Sequence, residues 1–158
     1  MKLDTLFYEE VISPILNRIQ EKADSPAFFI DDAFYTYRDF GRSISGIRKA
    51  LSGIASCEDK IGLVINNDIQ TYASIFALWM EGKCYVPLHP NWPLERCQDI
   101  VGQVGLRHVV DSSSVSRYAG ISVIMTGNSA PGDDIPDCVN ARLQGVPCRE
   151  RSLGWYQF

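Results

Sequence analysis

An alternation of short apolar runs with amphipathic segments between residues 61 and 125 constrains the fold most. Residues 61–65 form a nearly continuous apolar run, which is typical of a strand buried on both faces. Further runs follow at 84–87, 107–110 and 121–125, and the segments between the first three have helical length and periodicity. Because parallel strands need such crossovers, the sequence predicts an α/β fold with a βαβαβ parallel-sheet unit.

Capping residues mark the helix boundaries within this unit. Asn66, Asn67 and Asp68 precede a helix predicted over 69–81, which Gly82 ends. Pro93 begins a second helix, and Gly105 ends it. The predicted buried stripe of that second helix consists of Leu94, Cys97, Val101 and Val104.

Upstream, the sequence predicts an N-terminal hairpin and two helices. Ser13 is interpreted as the cap of the first helix, with Pro14 at its first position. Two aspartates at 31 and 32 form the hairpin turn, and Thr36 with Asp39 forms a capping box before the second helix. The basic side chains of that helix lie mostly outside its apolar stripe and predict a solvated surface: Arg38, Arg42, Arg48 and Lys49.

Composition excludes several classes of function. The 158 residues are 46% hydrophobic, enough for one domain with a core, and the net charge of −4 without a basic stripe argues against nucleic acid as a partner. The longest apolar stretches are too short for a membrane span, and the acidic N-terminus is not a secretory signal. Five cysteines without a C-x-x-C pair predict reduced thiols in the cytoplasm, with Cys84 and Cys97 filling the core.

Residue patterns that carry chemistry are absent from the sequence. It contains no G-x-x-x-x-G-K-[ST], G-x-G-x-x-G, H-E-x-x-H or G-x-S-x-G motif, and its two histidines cannot build a zinc site. We therefore assign no catalytic residue and no metal ligand. Asn66, Asn67 and His89 follow predicted strands at the sheet edge where ligands of open α/β folds bind. The alternative is that the asparagines cap a helix and His89 packs in a turn.

Two segments resemble adenylate-forming ligases, especially the adenylation domains that activate amino acids. Residues 35–40, YTYRDF, resemble the family's TYxEL segment, and residues 78–96, LWMEGKCYVPLHPNWPLER, resemble LKAGxAYVPLDPxxPxER. The resemblance covers about residues 25–111. It implies that the chain is the N-terminal part of a larger adenylation subdomain. The family often has Asp or Asn where this chain has His89, a departure that hints at the D-alanine-activating ligases.

The resemblance implies an enzyme that uses ATP and Mg²⁺ to convert a carboxylate, expected to be an amino acid, into acyl-AMP for transfer to a carrier thiol. The family's phosphate loop, of the type YTSGTTGxPKG, and its C-terminal lysine do not occur here. We therefore expect no turnover by these 158 residues alone, and no bound cofactor. The expected partners are the remaining parts of the adenylation domain and a carrier protein, with neither nucleic acid nor membrane.

The tail also resembles the family. Gly145, Val146, Arg151 and Leu153 match the GVxxxxRNL segment that follows the phosphate loop, so Gln144 and Gly145 are candidate residues flanking a missing loop between about 140 and 144. The predicted organisation is one partial domain over 1–158, with a loop at 126–143 and this segment at 144–158. Two other interpretations stay open: a truncated paralogue that acts as a binding module, with Trp79, Trp92 and Trp155 as candidate surface residues, and a flavodoxin-like domain.

Overall fold

The computed structural model describes residues 6–55 and 57–127, and within them it confirms the predicted α/β architecture. A π-helical turn, Tyr8–Ile12, leads into the first α-helix. The described part of the chain contains the helices α1 Ser13–Glu21, α2 Tyr37–Leu51, α3 Ile69–Met80 and α4 Leu94–Val104. Its strands are β1 Pro26–Ile30, β2 Ala33–Thr36, β3 Lys60–Val64, β4 Cys84–Leu88, β5 His108–Asp111 and β6 Ser122–Met125.

The four later strands form one parallel sheet in the order β4-β3-β5-β6. Side chains alternate between its faces, so Ile61 and Leu63 enter a core with α1, α2 and α3, whereas Val64 enters a second core with α4. Both faces of the sheet are therefore buried against apolar side chains. Because successive strand residues point to opposite faces, the sequences of the strands are continuous apolar runs.

The hairpin and its capping box are confirmed. β1 and β2 pair antiparallel, and Asp31 and Asp32 both have positive φ, at 49° and 60°, as a two-residue hairpin turn requires. The Thr36 hydroxyl accepts from the Asp39 backbone N–H, and the Asp39 carboxylate accepts from the Thr36 N–H. Two of the N–H groups at the start of α2 are thereby satisfied locally.

The interpretation of Ser13 as a helix cap is wrong. Ser13 has helical dihedral angles, φ −58° and ψ −42°, and the helical path extends back through the π-turn to Tyr8. Pro14 lacks the N–H that an α-helix would use at this position, and a wider π-turn directly before it accommodates that loss.

Three expectations about burial also need correction. Cys84 is exposed because it begins an edge strand of the sheet, whereas Cys97 is fully buried as predicted. Leu94, the first residue of α4, is exposed instead of buried. Arg48 is not solvated: its Nε donates to Glu81 Oε1 at 2.7 Å, and its side chain is only 16% exposed.

Candidate functional site

The carboxyl ends of β3 and β5 lie side by side at a topological switch point. β3 continues through α3 to β4 on one side of the sheet, whereas β5 continues to β6 on the other. Outgoing connections that diverge in this way leave a crevice beyond the strand ends, and ligands of open α/β sheets bind in such crevices.

Five polar residues occupy this crevice, and we call them the switch-point cluster: Asn66, Asp68, Asp111, Ser112 and Ser113. The Asn66 side-chain amide donates to Asp111 Oδ1 at 3.1 Å, Ser112 Oγ at 2.8 Å and Ser113 Oγ at 3.2 Å. Ser112 Oγ donates to Asp68 Oδ2 at 2.6 Å. The other oxygen of Asp68 caps α3 by accepting from the Thr71 N–H at 2.7 Å.

Asp111 is the most buried member of the cluster, with 2% of its surface exposed. Its Oδ1 also accepts from the backbone N–H of Ser113 at 2.9 Å and from the Ser113 hydroxyl at 2.6 Å, while its main-chain oxygen accepts from the Thr126 N–H at 2.8 Å. Three donors to one oxygen offset the desolvation of this carboxylate. Asp111 therefore joins the ends of β3, β5 and β6.

The chain leaving β6 runs tightly against the cluster. A Cβ at Gly127 would lie 2.1 Å from the main-chain oxygen of Ser112, so only glycine fits there without a backbone shift. Thr126 is fully buried, and its hydroxyl has no hydrogen-bond partner in the described part of the chain.

The structure does not bring the three predicted edge residues together. Asn66 is the centre of the cluster, but Asn67 is exposed with a left-handed φ of 58°, and its side-chain oxygen accepts from the Tyr72 hydroxyl. Asp68, not either asparagine, caps α3. His89 lies in the turn after β4, where its Nδ1 accepts from the Asn91 N–H at 3.1 Å.

That turn is held by an arginine from the β5–β6 connection. Arg117 donates to the main-chain oxygens of Trp92 at 2.9 Å and His89 at 3.0 Å, and its Nη2 lies 3.4 Å from Cys97 Sγ. The neighbouring Tyr118 is buried, which raises its pKa to about 12, with the Cys97 thiol as a further cause.

Sequence reasoning missed Asp111, Ser112, Ser113 and Arg117. An acidic residue followed by serines directly after a buried strand was a usable signal, because polar residues at such a strand end face the same edge as Asn66. Arg117 had no comparable signal, since its partners are main-chain oxygens distant in sequence. Gln144, Gly145 and Trp155 lie outside the described residues.

The hydrogen bonds of the cluster join its members to one another and hold the ends of β3 and β5 together, which is a structural role. Within residues 6–55 and 57–127, no group of three or more His, Cys, Asp or Glu residues could hold a metal ion. No helix in that part of the chain is long and apolar enough to cross a membrane.

Comparison with known proteins identifies the family. The sequence profile described as "AMP-binding enzyme" matches residues 16–136, which is most of the chain. The chain belongs to the AMP-binding enzyme family. Coprinoferrin synthetase of Coprinopsis cinerea is 30% identical over 123 residues, which cover 73% of this chain and 5% of that protein. The N-(5-amino-5-carboxypentanoyl)-L-cysteinyl-D-valine synthase of Penicillium rubens is 28% identical over 109 residues, which cover 67% of this chain and 3% of that synthase.

Two solved structures share the fold of this AMP-binding family member. A four-domain nonribosomal peptide synthetase, holo-AB3403 bound to AMP and glycine, superposes with a TM-score of 0.68 at 25% identity, over 77% of this chain and 9% of that one. The N-terminal subdomain of Klebsiella oxytoca NpsA, in complex with anthranilyl-AMSN, has a TM-score of 0.61 at 20% identity, over 77% of this chain and 34% of that one. The chain thus spans a small fraction of the relatives that it matches.

Proposed function

We propose that this chain is the N-terminal portion of an ATP-dependent ligase that activates an amino acid as acyl-AMP. The carboxylate oxygen attacks the α-phosphorus of ATP, the bond to pyrophosphate breaks, and acyl-AMP forms. The sulfur of a carrier thiol, losing its proton, then attacks the acyl carbon, and AMP leaves as the bond between the acyl group and the phosphate breaks. The match of residues 16–136 to the AMP-binding family is the observation that carries this proposal. A relative bound to AMP and glycine supports an amino-acid substrate, and we place the enzyme in the cytoplasm.

The described residues do not fit ATP phosphates or Mg²⁺. Residues 6–55 and 57–127 contain no glycine-rich phosphate loop and no group of acidic or histidine ligands for a metal. In the proposed ligase, the described residues form the parallel sheet and determine the path of the backbone at Gly127. Since phosphate displacement needs positioned charge, we expect no turnover by the 158 residues alone.

Amino-acid-dependent exchange of labelled pyrophosphate into ATP tests the proposal. The 158-residue chain should give no exchange above a protein-free blank. The same chain, joined to the remaining part of an adenylation domain from a relative, should exchange with at least one amino acid of a panel that includes glycine and D-alanine. Exchange by the 158 residues alone would contradict the assignment of these residues as a scaffold. A folded fusion inactive towards every amino acid and aryl acid would contradict the ligase assignment.

A second candidate function, a non-enzymatic binding module, is favoured by one observation. Phe29 and Phe34 form a cross-strand pair on the outer face of the hairpin, with ring centroids 4.6 Å apart and exposures of 59% and 72%. Such a pair is costly to leave in water and suits a protein contact. Intact mass near 17.7 kDa in the native host, together with self-association that Phe34→Ser abolishes, would favour this function over the ligase.

A further inference from the structure

The β1–β2 hairpin presents two aromatic rings and two carboxylates to solvent, and we call this surface the hairpin patch: Phe29, Phe34, Asp31 and Asp32. The rings of Phe29 and Phe34 lie 4.6 Å apart, centroid to centroid, and the two residues are 59% and 72% exposed. Because side chains alternate along a strand, their neighbours on the other face of the hairpin pack against the core: Phe28, Ile30 and Tyr35. The two rings therefore form one continuous apolar surface on the side of the hairpin that faces away from the core.

The two carboxylates of the hairpin patch have no cation beside them. Asp31 and Asp32 form the turn that joins β1 to β2, and both are exposed. Among the described residues, neither takes part in an ion pair. A partner complementary to the patch therefore carries an apolar hollow for the rings and lysine or arginine side chains at its rim.

The size and charge of the hairpin patch argue against a second copy of this chain as the partner. An aromatic side chain buries about 150–250 Å² when it is fully covered, so the two partly exposed rings offer on the order of 250 Å² together. A stable interface buries about 800 Å² on each partner. In a two-fold contact the patch would also meet itself, which would bring the aspartates of both turns close together. A small area and like charges both disfavour a dimer.

A domain linked to this chain needs less contact area than a free partner, because a short linker holds it at a millimolar effective concentration. Relatives of this chain contain such domains, since the chain covers only 9% of a four-domain synthetase. We propose that the hairpin patch docks against a neighbouring domain of the same polypeptide, whose surface offers an apolar hollow with basic side chains at its rim. This inference rests on the proposed function in one respect, that the chain is a portion of a longer protein.

Photo-crosslinking in the full-length native protein tests the docking. Phe34→p-benzoylphenylalanine puts a photoreactive ring into the patch, and mass spectrometry of the digested product identifies the peptide that this ring captures. We expect one dominant peptide from outside residues 1–158, containing lysine or arginine, in a product with the mass of a single chain. Val115→p-benzoylphenylalanine is the matched control, because Val115 is 80% exposed in the connection between β5 and β6, and it should not capture that peptide.

Two further variants measure what the rings and the carboxylates contribute. With the photoreactive group at position 34, Phe29→Ser should lower the yield of the captured peptide about tenfold, as expected when an aromatic contact at the centre of an interface is lost. Asp31→Asn combined with Asp32→Asn keeps the turn, because asparagine tolerates positive φ. This double variant should lower the yield less than Phe29→Ser does, and added salt should have a similar effect on the parent protein.

Four results would overturn the docking. A crosslinked product of doubled mass would make a second copy the partner. The absence of a dominant peptide from outside residues 1–158 would leave the patch without a partner domain. An unchanged yield in Phe29→Ser would show that the aromatic pair does not form the contact. A native protein of only 17.7 kDa would contain no further domain.

Pyrophosphate exchange by the same full-length protein separates this inference from the proposed ligase. Capture of a single peptide without exchange would contradict the ligase activity and support the docking. Exchange without capture would support the ligase activity and contradict the docking.

Discussion

Replacing Asn66 by alanine tests whether the switch-point cluster stabilises the sheet. The Asn66 amide is the donor that bridges β3 to Asp111, Ser112 and Ser113 beyond β5. A hydrogen bond to a charged group contributes about 1.5–3 kcal/mol. Asp111 keeps its two donors from Ser113, so the lower end applies, and we expect a loss of about 1.5–2 kcal/mol in the free energy of unfolding. In a chain of this size, that lowers the melting temperature by about 3–8 °C.

Urea unfolding followed by circular dichroism measures this loss, with Asn17→Ala as the control. Asn17 is exposed on α1, and its replacement should change the free energy by less than about 0.5 kcal/mol. Asp111→Ala should cost more than Asn66→Ala, about 3 kcal/mol, because it leaves the N–H and the hydroxyl of Ser113 without their acceptor and removes one acceptor of Asn66. In the double variant, the two losses should fall short of additivity by at least about 0.5 kcal/mol.

Two outcomes would refute the reasoning. If Asn66→Ala unfolds at the same urea concentration as the parent, the bridge between β3 and β5 contributes nothing. If the losses from Asn66→Ala and Asp111→Ala add fully, the two side chains do not act as one network. A changed slope of the unfolding curve would instead indicate a loss of cooperativity.

Three further predictions concern packing and burial. Gly62→Ala should lower the free energy of unfolding in urea by about 1–3 kcal/mol, because the added Cβ would lie 3.0–3.2 Å from three packed side chains. An unchanged free energy of unfolding would contradict this tight packing. The raised pKa of Tyr118 predicts that stability is complete below pH 10 and falls by about 2–3 kcal/mol as the pH approaches 12, since the unfolded chain loses the phenolic proton first. Tyr118→Phe should lack this fall, and an identical alkaline loss in both proteins would refute it. A thiol reagent should modify exposed Cys84 rapidly, and it should reach buried Cys97 only when the protein unfolds. Cys84→Ser should therefore remove part of the fast phase of thiol modification, whereas Cys97→Ser should leave that phase unchanged.

Element types and their order were predictable because each depends on neighbours in sequence. The capping box at Thr36, the two-aspartate turn of the hairpin and the glycine that ends α4 are local hydrogen-bonding and dihedral effects. Burial was less predictable, as Cys84 shows. An apolar run does not reveal whether its strand lies at the edge of a sheet, and the position of the strand in the sheet affects how exposed its side chains are.

The candidate site was predictable only as an edge of the sheet. Asn66 was expected there because the carboxyl ends of parallel strands share one side. Asp111 joins it from a position 45 residues away, and this contact requires β3 and β5 to be neighbours. The chain order, in which β4 comes between them, gives no such indication.

The alternation of parallel strands with helices follows from the residue pattern alone, and the short motifs at residues 35–40 and 78–96 carry the resemblance to adenylate-forming ligases. Both follow from residues close together in the chain, where periodicity, caps and short motifs act. The hydrogen bonds by which Asp111 joins three strand ends, and by which Arg117 holds the turn of His89 and Trp92, depend instead on the packed fold. Those contacts join distant segments, and the order of strands in the sheet brings them together.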